Sequence, residues 1–179
     1  KLADTFAATL EDYPSSPGFY ESDDFVNYED DIYVGYRYFE TVPGAAEKVN
    51  YPFGFGLGYT AFSYRNPVLA AETIRPGETT TLAVELANVG EVAAEEVVQL
   101  YVRDLEASVP VPRLHLEGVR RVFLEPGEAC TVGFEIGPRQ LRAFADDGTP
   151  FVEPGEFELF VGGAQPADGP GVAAVLAVR

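Results

Sequence analysis

Val84-Glu-Leu-Ala-Asn-Val-Gly-Glu-Val-Ala-Ala-Glu-Glu-Val-Val-Gln-Leu-Tyr101 decides the fold. Leu82, Val84 and Leu86 alternate with small or charged residues, the period-two signature of a half-buried strand. Asn88-Val-Gly90 then supplies turn chemistry, and Val97 to Arg103 reads as the next strand. No helical period fits either run.

The same pattern extends in both directions. Upstream, Val68 to Ile74 reads as a strand, followed by the Arg75-Pro-Gly-Glu78 turn and the strand Thr80 to Asn88. Downstream come Gly118 to Leu124, a second Pro-Gly-Glu turn at Glu125 to Glu128, and runs at Thr131 to Ile136, Leu141 to Asp146, Phe157 to Val161 and Val172 to Val178. About seven short strands between Pro and Gly turns predict an immunoglobulin-like or fibronectin-type β-sandwich over residues 66–179. No long amphipathic helix interrupts them, which disfavours a parallel α/β sheet. There is no Trp and no Cys pair, so an antibody-type domain is disfavoured. Alternation places Leu82, Val84, Leu86, Val98, Leu100, Val102, Val122, Leu124, Phe134, Ile136, Phe157, Leu159 and Val161 in the core.

Asn66 and Pro67 mark a domain boundary. Ahead of it, Ala3, Phe6, Ala7 and Leu10 recur at helical spacing and predict the end of a helix. Tyr13-Pro-Ser-Ser-Pro-Gly18 breaks that helix. An acidic, aromatic loop follows, and Tyr33 to Phe39 reads as either a strand or a short helix. Pro52 to Gly58 carries three glycines among aromatics, which predicts close backbone packing without regular structure. Residues 1–65 are not expected to form an independent domain, and Tyr33 to Tyr64 is expected to pack on the sandwich or on another copy of the chain.

The 179 residues fit one domain plus a flanking segment, and a hydrophobic fraction of 46% supports a packed core. A formal net charge of −17 repels nucleic acid and anionic membrane. No apolar run approaches a membrane span. The chain starts at Lys1 and has no Met, as expected of an excised or processed piece. Cys130 is the single cysteine, so no intrachain disulfide forms; a reducing compartment is permitted, which leans toward the cytoplasm while leaving localisation open.

Few residues invite chemistry. Cys130 precedes an alternating run and reads as structural, because a nucleophile needs a base and His115 is the one histidine. His115 alone builds no zinc site. Glu29, Asp30 and Asp31 are consecutive acids that cannot all face one calcium ion, so they read as solvated charge; Arg37 is expected to pair with one of them. Tyr33, Tyr36, Phe39, Phe53, Phe55 and Tyr59 suit a core or seam better than a sugar-stacking platform, since aromatics dominate buried area generally. Pro52 to Gly58 lacks the Lys-Ser/Thr pair of a phosphate loop. No cofactor and no metal is expected.

Three blocks carry a family likeness. They are Asp31-Ile-Tyr-Val-Gly-Tyr-Arg-Tyr-Phe-Glu40 with Tyr51-Pro-Phe-Gly-Phe-Gly-Leu-Gly-Tyr-Thr60, the Val84 to Tyr101 stretch, and Val111-Pro-Arg-Leu-His-Leu-Glu-Gly-Val-Arg-Arg-Val-Phe-Leu-Glu-Pro-Gly-Glu128. In that order they resemble glycoside hydrolase family 3, the β-glucosidase family, with Val119 where an aromatic is commoner. The resemblance implies that residues 1–65 are the tail of the family's α/β sandwich domain and residues 66–179 its fibronectin type III-like domain. It implies a parent that is a retaining glycosidase, using two carboxyl groups about 5 Å apart. The family's nucleophile, an Asp on a barrel loop, and its acid/base Glu match no position here, so the isolated chain is expected to be inactive. Ser22-Asp23-Asp24-Phe25 resembles the family's Ser-Asp-Trp nucleophile motif only superficially, and Asp23 and Asp24 are assigned at most to an outer subsite. Expected partners are the other domains of the parent, a β-glucoside bound through the parent, and a second copy in a homo-oligomer. The alternative is a stand-alone fibronectin-like module that captures carbohydrate or protein, which would show coplanar exposed aromatics on one sheet face.

Overall fold

The structure, a computed structural model, describes residues 1–19, 21–27 and 29–179. It divides into two compact units. One comprises Lys1–Gly56 with Pro112–Leu114, the other Leu57–Val111 with His115–Arg179.

The first unit is a partial, mixed assembly. β1 (Phe6–Ala7) pairs antiparallel with β2 (Val49–Tyr51). Between them lie a 3-10 turn at Leu10–Asp12, α1 (Ser16–Phe19), α2 (Tyr36–Thr41) and a second 3-10 turn at Ala46–Lys48. The helix expected over residues 1–12 does not form. Its periodic positions Phe6 and Leu10 are exposed, so no buried face rewards helical geometry. Instead the Tyr13 hydroxyl accepts from the Ala7 amide at 3.0 Å and donates to the Thr5 carbonyl at 3.1 Å, holding the segment extended. Pro17 does not end a helix but sits in the first turn of α1, where its missing N–H costs nothing. Of the two readings of Tyr33 to Phe39, the helix holds, as α2. Pro52 to Gly58 has no regular element, as expected.

The second unit is the β-sandwich. β3 (Phe62–Leu69), β5 (Thr80–Asn88) and β8 (Ala129–Ile136) make a three-stranded antiparallel sheet in the order β3-β5-β8, once β4 (Thr73–Ile74) is set aside. β4 joins the other sheet with β6 (Ala94–Asp104), β7 (His115–Leu124), β11 (Gly155–Gly162) and β12 (Gly171–Val178), in the order β4-β12-β11-β6-β7. β4 and β12 run parallel, and the other strand pairs among the described residues are antiparallel. α3 (Pro138–Leu141) and the short ladder of β9 (Ala143–Phe144) with β10 (Pro150–Phe151) link β8 to β11. The run expected as a strand from Leu141 to Asp146 is therefore shorter: Pro138, suited to a helix start, opens α3 first.

The core lies between the two sheets, and the alternation read from the sequence places it correctly. Twelve of the thirteen expected side chains are buried in one cluster, and Val122 packs against it partly buried. Both Pro-Gly-Glu turns work alike. Gly77 and Gly127 take φ of 94° and 77°, as the third position of a type II turn demands. Each Glu side chain reaches back to the turn's first amide, Glu78 to Arg75 at 2.9 Å and Glu128 to Glu125 at 2.8 Å.

Asn66 and Pro67 fall inside β3, at a register shift between Arg65 and Val68 where Asn66 takes a φ of 51°. The turn chemistry is real, but it makes a bulge. The strand expected at Val68 to Ile74 is accordingly two: β3 ends at Leu69 and the chain crosses to the other sheet as β4. No helix among the described residues is long and apolar enough to cross a membrane.

Candidate functional site

Asp23 and Asp24 lie exposed on an irregular loop, where the Asp24 amide donates to the Ser22 hydroxyl at 3.1 Å. Among the described residues no group of three His, Cys, Asp or Glu is placed to hold a metal. Asp31 takes a φ of 51° at the turn before α2. Arg37 does not pair with Glu29, Asp30 or Asp31 among the described residues. Its guanidinium lies 6.0 Å from the Tyr36 ring centroid, and its Nε has no hydrogen-bond partner among the described residues.

Cys130 and His115 stand in different sheets, on β8 and β7. Burial first, and then the charge of Glu128, push the Cys130 thiol above its ordinary range. That disfavours the thiolate a nucleophile needs. Asp104 is likewise pushed up, chiefly by burial and also by Glu153 and Glu106, against a backbone hydrogen bond from Glu106 that lowers it.

The described aromatics of the first unit make no flat platform. Phe39 is buried and meets Tyr13 and Tyr38 edge-on, with centroids at 5.9 and 5.2 Å. Tyr36–Phe53 and Tyr51–Phe55 are tilted pairs at 4.9 and 5.0 Å. On the five-stranded sheet Phe123 is the one exposed aromatic among the described residues. The row of coplanar rings expected of a stand-alone carbohydrate module is therefore missing from the described residues.

Of the buried polar side chains that escaped the sequence reading, two join separate parts of the sandwich. The first is Glu96, 7% exposed, whose place two residues before Val98 puts it on the core face of β6. The Tyr64 hydroxyl donates to it from β3 in the other sheet at 3.3 Å. Gly163 makes room: a Cβ there would lie 2.5 Å from Glu96 Oε1 and 3.1 Å from the Tyr64 oxygen. Burial, then the Glu96 charge and hydrogen bond, hold the Tyr64 hydroxyl far above its ordinary range. The folded chain thus binds this proton more tightly than the unfolded chain. The stability it carries is complete below about pH 10 and falls above it, by about 1.4 kcal/mol per pH unit. Tyr64→Phe is expected to remove that share of the alkaline fall, at a neutral-pH cost of about 1–3 kcal/mol from the lost donor. Urea melts at about pH 8 and about pH 11 check it; a variant that loses stability in parallel with the parent chain refutes the link.

The second is Asn88, 1% exposed. Its Oδ1 accepts from the Thr60 hydroxyl at 2.6 Å and the Gly90 amide at 3.1 Å, and its Nδ2 donates to the Val92 and Leu124 carbonyls at 2.9 and 3.1 Å. All four side-chain hydrogen-bonding positions are used.

Known proteins place these features in a family. The fibronectin type III-like domain family matches residues 96–165. β-Glucosidase A of Butyrivibrio fibrisolvens is 41% identical, with 90% of this chain aligned to 22% of that protein. A β-xylosidase of Formosa agariphila is 46% identical over 66% of this chain and 16% of its own length. The crystal structure of the family 3 β-glucosidase of Bifidobacterium adolescentis superposes with a TM-score of 0.86 at 32% identity, covering 99% of this chain and 25% of that one. The chain spans about a fifth of the length of the curated relatives it matches. It is thus a fibronectin type III-like domain with a leading segment, homologous over nine-tenths of its length to the β-glucosidases of glycoside hydrolase family 3.

Proposed function

We propose that this chain serves a β-glucosidase-type glycoside hydrolase as a bracing part, with the catalytic carboxyl groups on polypeptide outside it. The observation that carries the reading is the extent of the likeness: it runs through the leading unit as well as the sandwich. A free-standing fibronectin-like module would need only the sandwich. The leading unit supports the reading physically, because Phe6, Leu10, Phe19, Phe25, Ile32 and Val34 are all exposed on it. So many large apolar side chains in water suit a piece of a larger α/β domain.

In this reading the leading unit is the tail of the α/β sandwich domain and the sandwich is the fibronectin-like domain. The division is drawn ahead of β3, where Leu57 opens the second unit. The partners are the other domains of the same enzyme and, through them, a glycoside. The sugar is set elsewhere, since relatives with different sugar names share this region. Asp23 and Asp24 remain outer-subsite contacts at most.

The isolated chain is expected to give no turnover of an aryl β-glucoside, while the full-length enzyme hydrolyses it by acid-assisted displacement at the anomeric carbon. Turnover by the chain alone that disappears in Asp23→Asn overturns the proposal.

A further inference from the structure

One end of the sandwich carries a surface that the fold holds rigid without using. Leu57 and Tyr59 are 92% and 94% exposed, and Val89 and Val92 are 55% and 46% exposed. All four belong to the second unit. Backbone ties the segment after Tyr59 to the turn that carries Val89, since the Val89 amide donates to the Ala61 carbonyl at 2.8 Å. Asn88 locks the arrangement: it ties Thr60, beside Tyr59, to Gly90 and Val92 of the turn, and anchors both to the Leu124 carbonyl. Its main chain adds two bonds, from its amide to the Glu128 carbonyl and from the Gly127 amide to its own carbonyl, each 3.0 Å. A buried, fully bonded side chain thus holds two loops that carry exposed apolar side chains. Rigid apolar side chains on pre-formed loops are how an interface lowers the ordering cost of binding.

We infer that Leu57, Tyr59, Val89 and Val92 dock this domain onto the remaining polypeptide of the parent enzyme. The inference rests on the reading proposed above. The relatives are about five times as long as the aligned region, so protein to cover the patch exists in the same molecule. Two other occupants fit less well. A second copy would bring together two chains of formal charge −17, which repel. A sugar stacks on flat aromatic faces, whereas three of the four side chains here are aliphatic and suit a protein interior.

Hydroxyl-radical footprinting of the full-length enzyme and of the isolated chain tests this, with oxidation of Leu57 and Tyr59 as the readout. Both are expected to oxidise roughly tenfold more slowly in the full-length enzyme, because exposure falls from above nine-tenths to below one-tenth in a packed interface. Equal oxidation in the two proteins overturns the inference. Slow oxidation in the isolated chain together with a doubled mass assigns the patch to a second copy and overturns it too. Protection by added glucoside alone assigns it to sugar, with the same result. Hydrolysis of an aryl β-glucoside by the same full-length sample is scored separately, so an inactive parent with a protected patch counts against the function and not against the docking.

Discussion

Asn88→Ala is expected to lower the stability of the sandwich by about 3–4 kcal/mol, roughly 1 kcal/mol for each of the four side-chain bonds it removes. For a domain of this size that corresponds to a fall of about 10–20 °C in Tm. The cost is large because the groups left behind are held in place by the fold. The Leu124 carbonyl ends β7 and cannot turn to solvent without moving that strand, while the Val92 carbonyl, in the turn before β6, faces the same amide. Asn88→Asp is expected to do at least as much harm, since it sets an acceptor against those two carbonyls. Thr60→Val removes a single bond and should cost about 1 kcal/mol. Thermal and urea melts of the three variants decide the matter. An Asn88→Ala variant no weaker than Thr60→Val would mean that Asn88 merely fills a turn.

That contrast shows where the sequence was legible. Asn88 reads as a turn residue from its neighbours Val89 and Gly90, and it does lie at the turn. Its larger role depends on Leu124, thirty-six positions away in a strand of the other sheet. No local pattern signals such a pairing. Core residues are different, because each strand states its own face. Leu82, Val84 and Leu86 need only their own alternation to be placed, and so do Phe157, Leu159 and Val161.

Glu96 was within reach by the same reasoning. It shares a face with Val98 and Leu100, so strict alternation makes it a core-facing acid, a misfit that marks a buried partner. Ala3, Phe6, Ala7 and Leu10 mislead for the opposite reason. Their spacing is helical, but periodicity fixes a helix only when the apolar face is buried, and here Phe6 and Leu10 face solvent. As for chemistry, the sequence shows no matched carboxylate pair, and the structure sets Asp23 and Asp24 on an exposed loop. What the region does follows from its relatives and its surfaces more than from any reactive group within it.

Gly118 offers the second large effect, through Phe134. Gly118 sits where the pairing of β6 with β7 shifts register, between Leu100 and Tyr101. A Cβ at this position would lie 2.7 and 2.9 Å from two carbons of the Phe134 ring and 3.3 Å from the Leu100 Cβ. The ring therefore occupies the space a side chain would take, with the Arg120 guanidinium 5.3 Å from its centroid. A glycine inside a strand otherwise weakens it, so close approach is the reason for this one. Phe134→Ala is expected to cost about 3–5 kcal/mol, as a buried aromatic removed from a packed core. Gly118→Ala should cost about 1–3 kcal/mol by driving the ring from its place. The two effects are one contact seen from both sides, so they should not add. In a Phe134→Leu background, where the side chain is shorter and can yield, Gly118→Ala should cost less by about 1 kcal/mol or more. Denaturant melts of the two single variants and the double variant measure that coupling. Strict additivity would show that the ring does not depend on the missing Cβ, and that Gly118 serves the register shift alone.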